Sequence, residues 1–481
     1  MKRLPCGMIL FFLCLLLPAS LAQSYTNLSV SEAKAAIDSN PTLVVLDVRT
    51  QSEYDDGHIR NAKLIPHTEL SLRLNELNQT DEILVYCRAG SRSAIASQIL
   101  VDAGFQNIYN MLGGILDWID AGYPVYVKYS SIQVAINNAF EGDTIRVSLG
   151  TYYENVVVNK TVSLIGENRE TTVVSGNGVG NVLSIIRENV TVAGFTINNS
   201  GSVPYDAGIY LDNASFSIIE GNAIKGNLYG IMIYASSNYV TVKDNNITIN
   251  DFGIRFFSNS HYGNISRNYI ADHSYGYGIG ATSSNYTNIS GNIILNNYAG
   301  ILLGGIITGS TSHNVVFQNI IDGCEEYGIE IGGYYSQNNI FYHNNLVNNN
   351  QQVLISPEVS HPNFWDNGYP SGGNYWSDYN GTDSSSGFYQ NETGPDRIGD
   401  SPYVISGSNQ DNYPLIYPYG FFPWDVTGDD YVGIDDIVAV AEHFGQDPVH
   451  PDWDSKYDIN GDNYTGIDDI VLVAEHFGES I

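Results

Sequence analysis

The chain has 481 residues, and its 52 acidic against 20 basic side chains give a formal net charge of −32. This length exceeds that of one ordinary domain, so several modules are expected. The excess of carboxylates argues against nucleic acid and anionic membranes as partners and favours cations.

The first 22 residues have the pattern of a secretory signal peptide. Lys2 and Arg3 form a basic start, an apolar stretch covers residues 8–17, and residues 20–22 supply the small side chains of a cleavage site. Cleavage after Ala22 would leave no other long apolar run, so we expect a secreted chain, extracellular or at the cell surface, without a membrane span. An uncleaved membrane anchor is the alternative, which the short apolar core disfavours.

Two cysteines, Cys87 and Cys324, remain after such a cleavage. A secreted protein with so few cysteines is not a disulfide scaffold. A bridge between these two is the less favoured alternative, because their separate segments would have to meet at bonding distance. We therefore expect two thiols and interpret Cys324 as part of a core.

Residues 24–127 alternate strand and helix patterns, which predicts a small α/β domain with a mainly parallel sheet. Strand patterns cover residues 43–46, 83–86 and 108–111, and helix patterns cover residues 70–77, 93–104 and a stretch through Trp118.

A cysteine stands where the strand pattern of residues 83–86 ends. The 87–92 loop (Cys-Arg-Ala-Gly-Ser-Arg) joins that strand to the next helix pattern. Such a loop places backbone N–H groups and the positive end of a helix dipole around the thiol, and Arg88 and Arg92 add charge. Both effects lower a thiol's pKa, which predicts that Cys87 is a nucleophile and anion binder. An inert buried thiol is the alternative.

The same segment resembles a single-domain rhodanese. The resemblance is carried by residues 46–49 (Leu-Asp-Val-Arg), Glu53-Tyr54, residues 57–59 (Gly-His-Ile), the 87–92 loop with Ser93, and residues 112–114 (Leu-Gly-Gly) with Trp118. It implies a sulfurtransferase in which Cys87 accepts sulfane sulfur from a donor such as thiosulfate and passes it from a persulfide to cyanide or a thiol. The backbone amides of Arg88, Ala89, Gly90, Ser91 and Arg92 would hold the persulfide, and Arg88 or Arg92 the anionic donor.

Two alternatives belong to this resemblance. Related phosphatases have a loop one residue longer, so the six residues here favour sulfur over phosphate. We interpret Asp47, Arg49 and His58 as structural residues that hold loops where a strand ends, and not as catalytic groups. No organic cofactor is expected.

Residues 129–359 are rich in Asn, Ile, Gly, Tyr and Ser and contain two recurring landmarks. Gly-Ile pairs begin at Gly208, Gly230, Gly253, Gly278, Gly300 and Gly328, and Asn-x-Ile/Leu triplets begin at Asn222, Asn245, Asn268, Asn292, Asn319 and Asn344. A near-constant spacing of this size predicts a solenoid, and short β-branched runs between Gly/Asn turns favour a β-helix over a leucine-rich repeat. Aligned asparagines would form a hydrogen-bonded ladder.

The start of this region resembles right-handed parallel β-helix proteins of the NosD/carbohydrate-binding type. The matching residues are 142–145 (Gly-Asp-Thr-Ile), 150–152 (Gly-Thr-Tyr), 154–156 (Glu-Asn-Val) and 164–166 (Leu-Ile-Gly). The resemblance implies a surface polysaccharide as partner, a polysaccharide-degrading enzyme, or a copper site. Scattered aspartates do not form the carboxylate pair that a glycosidase needs. His261, His273, His313 and His343 fall on different coils, and we interpret His273 as occupying an asparagine position.

Residues 360–422 are rich in Trp, Tyr, Gly, Asp and Pro. A solenoid needs an end cap that covers its last coil, and we interpret this segment as that cap. A sugar- or calcium-binding cap is the alternative.

Residues 423–481 contain a duplicated acidic loop with the ligand spacing of a calcium site. The predicted ligands at loop positions one, three, five, seven and twelve are Asp425, Thr427, Asp429, the Tyr431 carbonyl and Asp436, and in the second copy Asp458, Asn460, Asp462, the Tyr464 carbonyl and Asp469. Each loop precedes an amphipathic helix pattern that ends at Gly445 or Gly478.

Two such loop–helix units resemble a type I-like dockerin. The resemblance implies two bound Ca²⁺ ions and a cohesin-type protein as partner. Asp430 stands where the family has Gly, so the first site is expected to be weaker. Ile434 and Ile467 begin the pairs that would contact the partner and differ from the family's common Ser-Thr, which leaves its identity open. A calcium-folded module without a receptor is the alternative.

The sequence therefore predicts a multidomain secreted chain. It combines a small α/β rhodanese domain, a right-handed parallel β-helix solenoid and a small α-helical calcium-loop module. The favoured function is sulfur transfer through Cys87. The alternatives are a non-catalytic carbohydrate-binding protein at the cell surface or docked to a cohesin, and a polysaccharide-degrading β-helix enzyme.

Overall fold

A computed structural model describes residues 25–304, 310–359, 361–420, 424–427, 431–448, 450, 453–459 and 464–478. The predicted signal peptide, residues 1–22, lies outside these ranges. The chain divides into two compact units, Met1–Lys128 and Tyr129–Ile481, which are described separately. Within the described ranges, no helix is both long and apolar enough to cross a lipid bilayer.

The N-terminal unit is the α/β domain that the sequence predicts. Its strands are β1 (Thr26–Leu28), β2 (Val44–Asp47), β3 (Lys63–Leu64), β4 (Glu82–Tyr86) and β5 (Asn107–Met111). Its helices are α1 (Val30–Ser39), α2 (Gln51–Asp55), α3 (Ser91–Asp102) and α4 (Gly114–Asp120), with 3₁₀ turns at Leu70–Leu72 and Leu74–Glu76. All strand pairs are parallel, in the order β1-β5-β4-β2-β3.

Successive side chains of the central strands pack alternately into two cores, one on each face of the sheet. On β4, Ile83 and Val85 join the core beside α3, whereas Leu84 and Tyr86 join the core that contains Trp118 of α4. This period of two is the reason that a strand covered on both faces reads as a continuous apolar run.

The helix predicted over residues 70–77 is wrong. The segment forms two 3₁₀ turns, neither of which has a side-chain hydrogen bond at its N-cap. Arg73 lies between them in a non-helical conformation and pairs with Glu69 at 2.9 Å and with Glu76 at 2.6 Å. Leu70 is buried and Leu72 is 85% exposed, so no continuous apolar face supports a longer helix.

The C-terminal unit contains the predicted parallel β-solenoid. It begins with α5 (Ile132–Asn138), which is capped by Ser131 and buries Ile132 and Ile136 against the solenoid core. Three parallel sheets follow, so each coil contributes one strand to each of three faces. The coils share one apolar interior that extends from Ile132 to Trp376.

The strands of the three faces, in chain order, are as follows. The first face comprises Thr144–Val147, Ser163–Gly166, Thr191–Ala193, Ile218–Glu220, Thr241–Lys243, Asn264–Ser266, Asn288–Ser290, Val315–Phe317 and Ile340–Tyr342. The second comprises Gly150–Tyr153, Thr172–Ser175, Thr196–Asn198, Ala223–Lys225, Asn246–Thr248, Tyr269–Ala271, Ile293–Leu295, Ile320–Asp322, Asn345–Val347 and Tyr375–Trp376. The third comprises Val156–Val158, Leu183–Ile185, Ala207–Asp212, Tyr229–Tyr234, Phe252–Phe256, Tyr277–Ala281, Ala299–Leu303, Tyr327–Ile331 and Gln351–Ile355.

The predicted asparagine ladder is present between the first and second faces. It runs through Asn222, Asn245, Asn268, Asn292, Asn319, Asn344 and Asn374. At each step the backbone N–H and the side-chain amide of one asparagine donate to Oδ1 of the next, at 2.8–3.2 Å. The ladder ends on the buried carboxylate of Asp411, which accepts the Asn374 N–H at 2.7 Å.

A second buried row explains the Gly-Ile landmark. The row comprises Asn227, Asn250, His273, Asn297, Cys324 and Asn349. A Cβ atom at Gly253 would lie 2.8 Å from Nε2 of His273, and one at Gly300 would lie 3.3 Å from Sγ of Cys324. Each landmark glycine therefore leaves room both for a side chain of this row and for a backbone carbonyl oxygen of the next coil. His273 occupies an asparagine position and Cys324 is a buried core thiol, as the sequence predicts.

Residues 361–420 close the end of the solenoid. Trp365 and Trp376 are buried in the solenoid core, and Tyr375–Trp376 extends the second face beyond the last regular coil. Two antiparallel pairs complete the segment: Ser385–Ser386 with Glu392–Thr393, and Tyr403–Ser406 with Asn409–Asp411. These contacts support the interpretation of the segment as an end cap.

Two nine-residue helices, α6 (Ile434–Glu442) and α7 (Ile467–Glu475), form the C-terminal region with a 3₁₀ turn at Ser455–Tyr457. Val440 and Val473 are buried against each other's helix in a small core with Trp424 and Val432. Phe444 follows the end of α6 and is 54% exposed, so it lies outside this small core.

Candidate active site

Cys87 lies directly after β4, the central strand of the N-terminal sheet, and before α3. Its side chain is buried, and neither Cys87 nor Cys324 forms a disulfide in the described structure. Gly90 adopts φ +95°, which only glycine adopts readily, and its N–H donates to Sγ of Cys87 at 3.2 Å. The loop thus turns its backbone toward the sulfur.

Hydrogen bonds decide the ionisation of this thiol. Burial acts to raise the pKa of Cys87, but the Ser93 hydroxyl and the N–H groups of Ser93, Ala89 and Gly90 outweigh it, so the pKa lies below the usual thiol value. Cys324 lacks such a set of donors, and burial raises its pKa to about 12. Of the two described cysteines, Cys87 is therefore the one activated for nucleophilic attack.

The N-terminus of α4 fixes the 87–92 loop through backbone hydrogen bonds. The N–H of Ile115 donates to the carbonyl of Cys87 at 2.9 Å, and the N–H of Leu116 donates to that of Arg88 at 3.2 Å. Gly114 has φ +62°, and a Cβ there would lie 2.5 Å from the Cys87 carbonyl oxygen. Glycine at this position allows the two backbones to meet, which gives the Leu-Gly-Gly motif a physical role.

The two loop arginines have different partners. Arg92 donates two hydrogen bonds to the carboxylate of Glu53, at 2.6 and 2.7 Å. This pairing, together with the Thr50 cap of α2, holds the pKa of Glu53 at about 2 although burial opposes the shift. Arg88 is exposed and forms no ion pair with any described residue. Arg88 is therefore the loop arginine whose charge is available to a ligand.

A cavity of about 200 Å³ adjoins the loop at Arg88. Its lining combines Arg49 and Arg88 with two carboxylates, Glu53 and Asp56, and with apolar side chains of α4 and Val125. Its size and mixed lining suit a small anion or a short thiol.

Asp47, Arg49 and His58 hold the loops around this cavity, as interpreted from the sequence. Arg49 pairs with the buried carboxylate of Asp47 at 2.6 Å and donates to the carbonyl of Gly57 at 2.7 Å. His58 is buried and stacked on Tyr54 at 3.6 Å between ring centroids.

The sequence motifs contain two residues of the site whose roles were not predicted. Ser93 was part of the matched motif, but its role on the thiol depends on a hydroxyl direction that only the fold fixes. Glu53 lies 39 positions before Arg92. Besides the matched Glu53-Tyr54 pair, its local signal is the Thr50–Glu53 capping box, which predicts a helix start and not an ion pair.

The predicted calcium ligands are described in part. Asp429, Asn460 and Asp462 lie outside the described residues. Asp436 and Asp469 are buried at the starts of α6 and α7, where each accepts a glycine N–H, at 2.7 and 2.6 Å. Asp425, Thr427, Tyr431, Asp458 and Tyr464 are described in the two loops.

The two loop–helix junctions have the same geometry. Gly433 and Gly466 have φ/ψ of −114°/−170° and −117°/−170°. In the first copy Asp436 also accepts the N–H and hydroxyl of Thr427, both at 2.9 Å. The oxygen atoms that these residues present are of the type that Ca²⁺ prefers. Across the described parts of the chain, no group of three or more His, Cys, Asp or Glu side chains is arranged to hold a metal.

The solenoid histidines and aspartates have separate local partners. His273 belongs to the buried row, His313 stacks on Tyr286 at 5.1 Å, and His343 stacks on Tyr419 at 4.0 Å between ring centroids. Asp244 is held by Arg267 in two hydrogen bonds of 2.8 Å. The fold thus assigns these residues structural contacts on different coils.

Two families match the chain. A rhodanese-like domain matches residues 29–121, and the family described as periplasmic copper-binding protein (NosD) matches residues 113–275 and 270–381, together more than half of the chain. The two corresponding resemblances predicted from the sequence are confirmed. The dockerin resemblance stays a prediction.

Several relatives match the N-terminal unit. Thiosulfate sulfurtransferase 18 of Arabidopsis thaliana is 34% identical over 118 residues, 22% of this chain and 85% of that protein. A sulfurtransferase of Allochromatium vinosum is 32% identical over 97 residues, 20% of this chain and 90% of that protein. YrkF of Bacillus subtilis is 38% identical over 97 residues, 20% of this chain, and the chain spans about half of it (52%). A solved rhodanese-related protein from Thermoplasma volcanium is 35% identical, covers 22% of this chain and all of its own, and gives a TM-score of 0.20.

Proposed function

The chain belongs to the rhodanese-like family through residues 29–121 and to the NosD family through residues 113–381, and from this premise we propose that it is a secreted sulfurtransferase that carries sulfane sulfur on Cys87. The observation that carries the proposal is a thiol of lowered pKa among N–H donors at the end of the central strand. The solenoid serves as scaffold, and the C-terminal region serves as a calcium-dependent docking module.

The reaction has two half-steps, each a displacement at sulfur. The Cys87 thiolate attacks the outer sulfur of a donor such as thiosulfate, and a new S–S bond forms as the donor's S–S bond breaks and sulfite leaves with the electron pair. An acceptor such as cyanide or a thiolate then attacks the outer sulfur of the persulfide and returns Cys87 to its thiolate. The N–H groups of the 87–92 loop stabilise the negative charge that Cys87 or its persulfide carries in both half-steps.

Arg88 is the favoured site for the anionic donor. The charge of Arg92 is neutralised by Glu53, whereas Arg88 is exposed at the cavity and lacks an acidic partner among the described residues. Arg49, the other cation of the cavity, is paired with Asp47. A guanidinium beside the nucleophile would hold two oxygens of a thiosulfate ion and keep its outer sulfur near Sγ.

Intact mass spectrometry of the purified protein tests the proposal. Treatment with thiosulfate should add one sulfur atom to Cys87, and cyanide should remove it. Cys87→Ser should gain nothing, whereas Cys324→Ala, which removes the buried core thiol, should gain and lose sulfur like the parent chain. A folded, reduced protein that takes up no sulfur would refute the enzyme proposal. The same spectra test secretion, because cleavage after Ala22 predicts a mature chain that begins at Gln23.

The docking module is supported by the matched geometry of its two halves. Asp425, Thr427, the Tyr431 carbonyl and Asp436 would supply oxygen ligands to one Ca²⁺, together with the predicted ligands outside the described ranges. Asp458, the Tyr464 carbonyl and Asp469 would do so for the other ion. The ions would fix both loops and so present α6 and α7 to a cohesin-type domain.

Calcium titration of the full chain, followed by isothermal calorimetry, should give two sites. Asp469→Asn should remove one of them and leave the other, and a chelator should abolish capture by a cohesin domain. Binding of fewer than two ions by the parent chain would contradict this part of the proposal. Calcium binding without cohesin capture would contradict the docking role and favour a calcium-folded module without a receptor.

A further inference from the structure

The cavity beside the 87–92 loop carries one unpaired charge of each sign. Arg88 and Asp56 both line it, and both are exposed to solvent. The other two charged side chains of its lining, Arg49 and Glu53, are each held in an ion pair within the protein. No ion pair between described residues includes Arg88 or Asp56. The cavity therefore offers a ligand one cation and one anion, both without a partner of opposite charge.

Asp56 lies at the C-cap of α2, where the fold gives its carboxylate no role. Its backbone N–H donates to the carbonyl of Ser52, so the residue ends the helix. The C-terminal end of a helix is its negative end, so a carboxylate there is unfavourable. The neighbouring Asp55 accepts a hydrogen bond from Gln51 at 2.8 Å, whereas no described residue donates to the Asp56 side chain. Asp56 also repels an anionic donor such as thiosulfate. A ligand with a cationic group would give this carboxylate a partner.

The cavity has room and apolar surface for an organic molecule. Its volume is about 200 Å³, which at about 30 Å³ for each water-sized group admits about six or seven non-hydrogen atoms. Leu116, Ile119 and Val125 line it beside the two unpaired charges. Leu116 is 38% exposed and Ile119 is 48% exposed, so both can contact a ligand. The lining thus suits a short carbon chain that carries an acidic and a basic group.

We propose that the acceptor of sulfur from Cys87 is a small zwitterionic aminothiol acid such as cysteine. This inference rests on the proposed sulfurtransferase function and adds the acceptor to it. Arg88 would hold the carboxylate of the acceptor and Asp56 its ammonium group, which leaves the thiol to approach the persulfide on Cys87. Arg88 serves the donor and the acceptor in turn, because sulfite leaves the cavity before the acceptor enters.

The transfer step balances without an oxidant or a reductant. The acceptor thiol loses its proton to solvent, and its sulfur attacks the outer sulfur of the Cys87 persulfide. A new S–S bond forms on the acceptor as the S–S bond to Cys87 breaks, and the electron pair of the broken bond returns to Cys87. The product is a persulfide of the acceptor, and the N–H donors of the 87–92 loop stabilise the thiolate that leaves.

Single-turnover transfer by the full chain tests the acceptor. Each protein is loaded with thiosulfate and freed of it, and intact mass spectrometry then follows the loss of sulfur from Cys87 after a thiol is added. The probes are cysteine, cysteamine, which lacks the carboxylate, and 3-mercaptopropionate, which lacks the ammonium group. Each thiol is compared only with itself across the proteins, because thiols of different pKa differ in nucleophilicity.

The variants are Asp56→Asn and its matched control Asp55→Asn. The control removes a carboxylate from the adjacent position, which does not contribute to the cavity lining. Both variants change the net charge by the same amount, and circular dichroism verifies that each is folded.

Asp56→Asn should slow transfer to cysteine and to cysteamine by about three- to fivefold, which is the effect of one exposed ion pair. The difference from the parent chain should shrink as salt rises. Loading by thiosulfate and transfer to 3-mercaptopropionate should be at least as fast as in the parent, because the lost carboxylate repels anions. Asp55→Asn should match the parent with all three thiols.

The two proposals fail in different ways. A loaded parent chain that passes no sulfur to cysteine overturns the acceptor, as does an Asp56→Asn variant that slows all three thiols equally or behaves like Asp55→Asn. A folded, reduced parent chain that takes up no sulfur from thiosulfate refutes the sulfurtransferase itself and the acceptor with it.

Discussion

Ser93→Ala should raise the pKa of Cys87 while leaving the fold intact. The Ser93 hydroxyl is the foremost of the groups that lower this pKa against the effect of burial. It has one proton and two acceptors within reach, Sγ of Cys87 and the carbonyl of Gly90 at 3.0 Å. When the thiol ionises, the negative sulfur is the stronger acceptor, so the hydroxyl stabilises the thiolate selectively.

The size of the shift follows from the energy of one hydrogen bond. A hydrogen bond to a charged group contributes about 1.5–3 kcal/mol, and one pKa unit corresponds to about 1.4 kcal/mol. Loss of the hydroxyl should therefore raise the pKa of Cys87 by about one to two units. Three backbone N–H donors remain, from Ser93, Ala89 and Gly90, so the thiol should stay more acidic than one that is buried without donors.

The assay is the pH dependence of alkylation by iodoacetamide, with the labelled cysteine identified by mass spectrometry. The midpoint of the pH profile is the quantity to compare between variants. A rate at a single pH does not report the pKa alone, because a more basic thiolate is also more nucleophilic. Cys324 does not interfere, since its pKa of about 12 keeps it protonated through the measured range.

Ser97→Ala is the matched control. Ser97 is a buried serine of the same helix whose Oγ has no hydrogen-bond partner. This variant should leave the Cys87 midpoint where it is in the parent chain. Equal midpoints for Ser93→Ala and Ser97→Ala, both folded, would refute the assignment of the low pKa to the serine hydroxyl.

Three further outcomes are expected. Burial raises the pKa of Asp411 to about 7, above its value in the unfolded chain. The free energy of unfolding should therefore fall by about 4 kcal/mol in all as pH rises from about 4 to about 7. Denaturation followed by tryptophan fluorescence should show this fall in the parent chain and not in Asp411→Asn. Asn268→Ala removes a buried amide with five ladder and carbonyl hydrogen bonds, and it should lower the free energy of unfolding in denaturant by about 3 kcal/mol or more. Asn246→Ala is the control, because the Oδ1 of Asn246 has no hydrogen-bond partner, and it should change this free energy little. Glu53→Gln should destabilise the N-terminal unit at neutral pH, and its difference from the parent in urea should shrink as pH falls from about 4.5 toward the Glu53 pKa of about 2.

The solenoid was predictable because its constraints repeat. One glycine or asparagine carries little information, but six of each at similar spacing predict a stack of coils with aligned side chains. The N-terminal unit was predictable as a class for a similar reason, since buried parallel strands are apolar throughout. Helix bounds were less accurate: the predicted 93–104 helix spans Ser91–Asp102, because the chain leaves the helix before Gly104 at φ +91°. The short elements β1, β3 and α2 left no periodic signal and were missed, and the ten-residue helix α1 was missed as well.

In the candidate site, too, local features were predictable and contacts between distant segments were not. Everything local to the 87–92 loop could be read from the sequence: a thiol at a strand end, a glycine that turns the backbone, and two arginines. The difference between those two arginines could not be read from the sequence. Glu53, the partner of Arg92, lies on α2 and is brought to Arg92 only by the parallel order of the strands.

The same reasoning applies to the two solenoid landmarks. They were read as independent signals, but a Cβ at Gly328 would lie 2.9 Å from the Asn349 amide, so the glycine depends on a side chain about one coil further along the chain. Where His273 and Cys324 replace asparagine in this row, Gly253 and Gly300 are still required, because a Cβ atom there would also lie 2.2 and 2.5 Å from the carbonyl oxygens of Gly278 and Gly328 in the next coil. The landmark glycines are therefore fixed by packing across coils, whereas the residues of the row remain free to vary.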